Sequence, residues 1–411
     1  MPEIPVSIRL NPFKAVDAAY LCPDAPVPWC GDGLYLKERP SFTLDPLFHA
    51  GAYYVQDASA MMVGWMLRKV LESRFSERKT INVLDLCAAP GGKTTDAAAA
   101  LRRQFGAGFL LVANEVIRQR AGILKDNVAR WGDPGVVVTS SDPSSFAALK
   151  EKFDIIIADV PCSGEGMFRK SENAREMFSE ENVALCAARQ KRIIADVWPA
   201  LAPGGVLIYS TCTFPKAEND DNVEWIASEF DATPLAVPEL PCEGPELTKY
   251  GVLMHPEKVR GEGQYCAALL KSGTVQTPAA AADETVEFFE KQDEIFALPS
   301  YVARQMPFIG KALSVLSAGT HAFSVKGRDK IPAADLALSL LLDPEDFPAA
   351  DLSREDALKY LHRDAIILPP DAPLGYVLVC YEGLPLGFVK NLGRRTNSLL
   401  PMHRRILMDV K

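Results

Sequence analysis

A chain of 411 residues is longer than a typical single domain, and 48% hydrophobic with 24% charged side chains is the balance of a folded globular protein, not of a disordered or fibrous one. Nine cysteines without a close C-x-x-C pair or Cys/His ligand spacing argue against a zinc ribbon, a disulfide framework or any metal site, and fit a reducing, cytoplasmic setting. The opening MPEIPVSIRL lacks the apolar core of an export signal and no apolar run approaches 18 residues, so no membrane segment is expected, while the net charge of −9 is awkward for a nucleic-acid partner.

Residues 1–75 begin with a strand candidate at Val6–Leu10, pass through Pro- and Gly-punctuated loops and end in a helical pattern over Ser59–Leu71. From 81 the rhythm changes to NVLDL (82–86), FLLVANE (109–115), GVVVTS (135–140), FDIIIADV (153–160) and GVLIYSTC (205–212), separated by helical stretches such as 116–131 and 181–200. Strands apolar on both faces that alternate with helices predict a parallel, doubly wound α/β sheet over 76–272. VLMH (252–255) and QYCAALLK (264–271) then read as an antiparallel pair. The Pro-containing, acidic stretch within 273–295 reads as a linker, and 296–411 as a small α+β region. That region has helical patterns at Ala333–Leu342 and Arg354–Leu361 and β-like runs at 365–368, 375–381 and 385–390. The acidity is local: residues 231–300 hold twelve acidic side chains against five basic ones, whereas the tail carries Lys390, Arg394, Arg395, Arg404, Arg405 and Lys411 against Asp409 alone.

Three features sit at the expected carboxyl ends of strands, where an open α/β sheet binds ligands. In LDLCAAPGGKTT (84–95), Gly91 and Gly92 permit positive φ and a close ligand approach, and the following helix offers free N–H groups. The spacing is neither G-x-G-x-x-G nor that of a phosphate loop, which leaves an adenosyl cofactor or a bare strand-to-helix turn. Glu115, 30 residues after Asp85, can accept two ribose hydroxyls or simply cap a helix. Asp142 can meet an adenine amino group or form an Asx turn into Pro143. The third feature is the pair ADVPCSGEGMF (158–168) and IYSTCTF (208–214), which brings Asp159, Cys162 and Cys212 toward one crevice. One cysteine is more often an inert small hydrophobe; two beside a cofactor loop and an acid point to chemistry. Spacing alone does not rank them.

At these residues the sequence resembles the Sun-type RNA cytosine-5 methyltransferases, most closely their bacterial RsmF-like branch that modifies small-subunit ribosomal RNA. The resemblance extends to IRLNPFK (8–14), GAYYVQDASAM (51–61), NEVIRQRAGILKDNVARWG (114–132) and GYVLVCYEGLPLGFVKNLG (375–393). It implies a class I (Rossmann-like) methyltransferase sheet over 76–272, an N-terminal RNA-binding region over 1–75 and a PUA-like RNA-binding domain within 296–411. It also implies S-adenosyl-L-methionine held by Cys87, Ala88, Ala89, Pro90, Gly91, Gly92, Lys93, Glu115, Arg120, Asp142 and Asp159. Cys212 of the S-T-C-T motif becomes the nucleophile and Cys162 the group assisting product release. Thiolate addition to carbon 6 of cytosine pushes electron density onto carbon 5, which can then accept a methyl group, and Asp159 near ring nitrogen 3 would stabilise the developing charge.

Two departures stand out. Glu218–Asn219–Asp220–Asp221 has Asp where the family's E-N-E run has its second Glu, and the family's N-terminal strip begins close to Met1, which leaves RNA docking open. Ribosomal RNA or the small ribosomal subunit is the expected partner of a monomeric enzyme, with transfer RNA or a catalytically silent RNA-binding role as rivals. Arg169, Lys170 and the four tail arginines are candidate phosphate contacts, although an ordinary solvated surface reads each of them equally well.

Overall fold

The computed structural model describes residues 5–164, 179–274 and 284–410. Its centre is a parallel sheet of β1 (Ile81–Asp85), β2 (Phe109–Asn114), β3 (Val136–Thr139), β4 (Phe153–Asp159) and β5 (Leu201–Thr211), continued by β6 (Gly251–Met254) and β7 (Gln264–Lys271). The spatial order is β3-β2-β1-β4-β5-β7-β6, with β7 antiparallel to β5 in the register Thr211↔Tyr265.

Alternation within each strand divides the core. Leu111 and Ala113 of β2 and Ile155 and Ile157 of β4 face one layer, whereas Leu110, Val112, Ile156 and Ala158 face the other. The first layer holds the helix Met61–Arg74, α1 (Gly92–Phe105) and α2 (Arg118–Trp131); the second holds α3 (Glu180–Val197), α4 (Asp220–Glu229) and the helix Ser300–Ala312. Burial on both faces is why these strands read as continuous apolar runs.

The N-terminal residues form a four-stranded antiparallel sheet, ordered 23–27, 30–36, 6–10, 53–55. Three of its strands lie in the stretch expected to be loops. Pro23 and Pro26 sit on an edge strand with register shifts beside each, the place a sheet tolerates proline, and so PDAPV does not look like a strand. At the other end the expected linker 273–295 contains the strand Val286–Lys291, which turns through Gln292 and Asp293, both at positive φ, into Glu294–Pro299. Glutamates spaced among its phenylalanines hide this exposed hairpin from a search for apolar runs. Residues 365–368, expected as a strand, are irregular, and residues 396–398 pair in the C-terminal sheet 349–351, 375–381, 384–391, 396–398.

The central sheet is not closed by residue 272 as expected. Val315–Ala318 adds an antiparallel edge strand to β3 in the register Val315↔Thr139, so the C-terminal region completes the sheet. Among the described residues, no helix is long and apolar enough to cross a membrane.

Candidate active site

The parallel strands end on one side of the sheet, and the loops there carry the predicted residues. After β1 the chain turns through Cys87–Pro90 to Gly91, whose φ of +114° caps α1 with no side-chain hydrogen bond, so the first amides of that helix are left for a ligand. The turn is braced from outside. Arg120 donates to the Ala89 carbonyl (2.9 Å), and Asn127 and Tyr54 to the Pro90 carbonyl (2.8 and 3.2 Å). The fully buried Arg9 donates to the Gly92 carbonyl (3.2 Å) and to Gln56 Oε1 (3.0 Å).

Glu115 is buried beyond β2. Its carboxylate accepts the Ile117 amide at 3.0 Å, which fixes the turn into α2, and pairs with Arg120 at 3.3 Å. Asp142 is exposed, and its Oδ1 accepts the Ser144 amide and hydroxyl, which together hold its carboxyl below the usual carboxylate range. The Asx turn into Pro143 therefore forms and still leaves one oxygen free. Asp85 went unremarked in the sequence except as a spacing mark. It is fully buried, burial pushes its carboxyl up to about 7, and only the Thr94 hydroxyl (2.6 Å) binds it, leaving Oδ1 without a partner among the described residues.

Beyond β4 and β5 the two sulfurs meet: Cys162 Sγ lies 3.2 Å from Cys212 Sγ, and neither forms a disulfide. The hydrogen bond from Cys162 is the largest influence that holds the Cys212 thiol below its ordinary value, aided by Lys93 and opposed by burial and Asp159. The same bond, with burial, raises Cys162. The pair is thus polarised toward a Cys212 thiolate and a protonated Cys162. Burial and the nearby acids push Cys87 upward, which leaves it a poor nucleophile.

Asp159 is near enough for its charge to act on both thiols. Its Oδ2 accepts Lys93 Nζ at 2.8 Å, and its Oδ1 accepts the Ser210 hydroxyl (2.8 Å) and Gln264 Nε2 (3.0 Å). Burial alone would lower Lys93, but Asp159, Cys212 and Asp85 outweigh it and keep the ammonium charged. Lys93, expected on the cofactor, thus points at the acid beside the cysteines. Ser210 and Gln264 escaped the sequence reading; the one available signal was a buried polar residue at the head of an otherwise apolar strand. Asp220, the departure from E-N-E, is held by the Tyr265 hydroxyl (2.7 Å), the Thr248 hydroxyl (2.8 Å) and the Lys249 amide (3.1 Å).

Of the candidate phosphate contacts, Arg169 and Lys170 lie outside the described residues. Arg404 does not present a free cation: it pairs with Asp335 at 2.6 Å and Asp126 at 3.6 Å and is mostly covered, while Arg394, Arg395 and Arg405 stay exposed.

Comparison with known proteins places the chain, segment by segment. Residues 70–270 match the family 16S rRNA methyltransferase RsmB/F, residues 2–58 the N-terminal domain of 16S rRNA methyltransferase RsmF, and residues 347–406 the methyltransferase RsmF PUA domain. Ribosomal RNA small subunit methyltransferase F of Cronobacter sakazakii is 33% identical over 456 residues, spanning 98% of this chain and 90% of the relative. The protein of the same name from Shewanella baltica is 32% identical over 419 residues (92% and 84%). Among solved structures, a methyltransferase homologue from Pyrococcus horikoshii is 26% identical with a TM-score of 0.53, covering 66% of this chain and 87% of its own. The fold is shared with NSun6 from Pyrococcus horikoshii, 19% identical with a TM-score of 0.54 (66% and 92%).

Proposed function

Because the chain belongs to the ribosomal RNA small subunit methyltransferase F family, within the RsmB/F methyltransferases, we propose that it methylates carbon 5 of a cytosine in 16S ribosomal RNA through a transient Cys212–cytosine bond. The observation that carries this reading is the 3.2 Å Cys162–Cys212 contact beside the Asp159–Lys93 pair. Family membership makes it a methyltransferase; the roles of individual residues are the proposal.

The residues present fit S-adenosylmethionine. The uncapped start of α1 suits the polar end of an amino acid, and the unpartnered Asp85 Oδ1 suits an ammonium group. Glu115 at the end of β2 suits ribose hydroxyls. The turn Cys87–Gly92, with Glu115, Arg120, Asp142 and Asp159, would hold the cofactor, which when bound supplies an electrophilic methyl group.

Cys212 Sγ adds to carbon 6 of the target base, and the electron pair released toward ring nitrogen 3 makes carbon 5 nucleophilic. The negative charge at that edge of the ring is offset by the Lys93 ammonium, which Asp159, itself fixed by Ser210 and Gln264, holds in place. Once Cys212 is bonded to carbon, its sulfur no longer carries the charge that kept the proton on Cys162. The Cys162 thiol can then lose its proton to solvent and, as the thiolate, take the carbon 5 proton of the methylated ring; that C–H pair restores the 5,6 double bond, Cys212 leaves as a thiolate, and the methylated base departs. To reach a thiolate in this recess the base must leave its stack, which favours a loop or an open ribosomal particle. The N-terminal sheet and the PUA-matching residues are the proposed RNA contacts, in the cytoplasm where ribosomal subunits reside.

The test is transfer of a labelled methyl group to 16S ribosomal RNA and to small subunits, followed by nucleoside analysis. Label is expected as 5-methylcytosine in 16S RNA and absent with Cys212→Ala. Label confined to transfer RNA would overturn the substrate, and no label in any RNA the whole reading.

A further inference from the structure

Behind the two sulfurs lies a buried polar cluster that the chemistry above does not use. Glu218 is fully buried, and its Oε2 accepts the backbone amide of Ser163 (3.0 Å) and Gln190 Nε2 (2.7 Å). Gln190 Nε2 also donates to the Pro161 carbonyl (3.0 Å), so the two residues flanking Cys162 are both held. Gln190 is itself fixed, its Oε1 accepting from Asn222 (2.7 Å) and the Tyr209 hydroxyl (3.1 Å). Tyr209 donates in addition to the Glu218 carbonyl (2.6 Å). On the other side Asn219, the next residue, accepts the Thr211 hydroxyl (2.6 Å) and donates to the Thr213 carbonyl (2.9 Å), fixing both neighbours of Cys212. The two loops are joined directly, since the Ser163 and Thr213 hydroxyls, each one residue past its cysteine, lie 2.9 Å apart.

A carboxylate is an unusual choice for a buried brace, because its desolvation is costly unless strong donors meet it. Oε2 of Glu218 meets two such donors, while Oε1 is buried without a hydrogen-bond partner among the described residues; a glutamine whose amide oxygen takes the Oε2 place keeps both donors, whereas a leucine keeps the shape and loses the acceptor. We propose that Glu218 is a positioning residue, clamping the Ser163 amide so that Cys162 is held against Cys212 while touching neither substrate nor sulfur. The inference rests on the reading of Cys212 as nucleophile.

Glu218→Leu tests it in the full-length enzyme, with Glu218→Gln, whose amide oxygen can keep both donors, as the conservative rescue. The pH at which Cys212 is half alkylated by iodoacetamide, followed by mass spectrometry, should rise by about one unit, since the loosened Cys162 no longer stabilises the thiolate. The single-turnover methylation rate should fall by about 100-fold, as for a reacting group displaced by ~1 Å. KM for RNA and binding of the cofactor analogue sinefungin should be unchanged. An unaltered Cys212 alkylation profile overturns the proposal, whether or not activity falls, because lost activity with a normal thiolate means only general damage. If Glu218→Leu does not fold, Thr213→Val removes the hydroxyl bridge from the opposite loop and should shift the profile in the same direction; no shift there equally overturns it. Cys212→Ala separates the two failures: turnover retained in that variant defeats the nucleophile reading, whereas its loss alongside a normal Glu218→Leu profile defeats only this inference.

Discussion

At 3.2 Å the two active-site sulfurs compete for one proton, so their substitutions should fail differently. Cys212→Ala removes the nucleophile and should abolish methylation while sinefungin still binds, measured by calorimetry beside the activity assay; residual turnover would remove Cys212 from the role. Cys162→Ala leaves the nucleophile but not the group that takes up the final proton, and should accumulate a protein–RNA adduct that survives denaturing gels. Absence of that band would count against the release role. Spacing made both cysteines visible but could not say which is ionised, because the answer depends on the contact between the two thiols and on Lys93 and Asp159, which lie 66 residues apart in the chain. A second buried group lies away from the chemistry. Lys14 donates to the carbonyls of Ala50 (2.8 Å) and Arg130 (2.9 Å), and burial, with Arg130 adding repulsion, pulls it down to about 7. The unfolded chain keeps this proton up to its ordinary value of 10.5, so between about 7 and that value folding releases it and stability rises with pH. Below about 7 both states are protonated and the contribution is flat. Lys14→Met should leave two carbonyls unsatisfied, costing about 2 kcal/mol or more at neutral pH. The wild-type advantage over Lys14→Met, read by urea unfolding, should also widen from pH 7 to 9; a constant difference would refute it.

The elements that position the site meet at points where only glycine fits. Gly51 has φ +76°, and a Cβ there would come within 2.0 Å of the Arg130 carbonyl at the end of α2; Gly132, with φ +88°, stands equally close to the Leu338 carbonyl. Gly51→Ala combines strain with a backbone clash that no side-chain movement relieves, and should lower stability by about 2 kcal/mol or more. A thermal midpoint unchanged from wild type would show that the N-terminal sheet is not seated on α2 as described. The five parallel strands were legible because burial on both faces writes itself as uninterrupted apolar residues, VVVT at β3 being the plainest. The strands at 23–27, 30–36 and 286–291 were not, because one or both faces meet solvent or prolines punctuate the edge, and their identity comes from pairing with partners far along the chain. The same reason concealed Arg9 and Gln264, polar residues whose purpose emerges only when the sheet brings them to the turn and to Asp159.

For the molecule as a whole, net charge −9 makes RNA binding depend on where cations remain free. Arg404 is spent on Asp335 and Asp126, tying the tail to α2, while Arg394, Arg395 and Arg405 face solvent. Neutralising the three exposed arginines together should weaken 16S RNA binding and reduce its logarithmic salt slope by up to about 2, taking ~0.7 per single-strand phosphate contact. Arg404→Ala should instead lower the thermal midpoint and leave the slope unchanged; the reverse pattern would return Arg404 to the RNA surface. The strand Val315–Ala318 on the free edge of β3 has a consequence for synthesis. As the chain leaves the ribosome, every residue of the catalytic crevice is out by 272, yet β3 still presents an unpaired edge of valines for more than forty residues of further translation. A nascent chain paused in that interval carries a template for intermolecular strand addition. Cutting the gene after the family's catalytic segment should therefore yield a protein that aggregates through β3, not a small enzyme lacking its RNA-binding end.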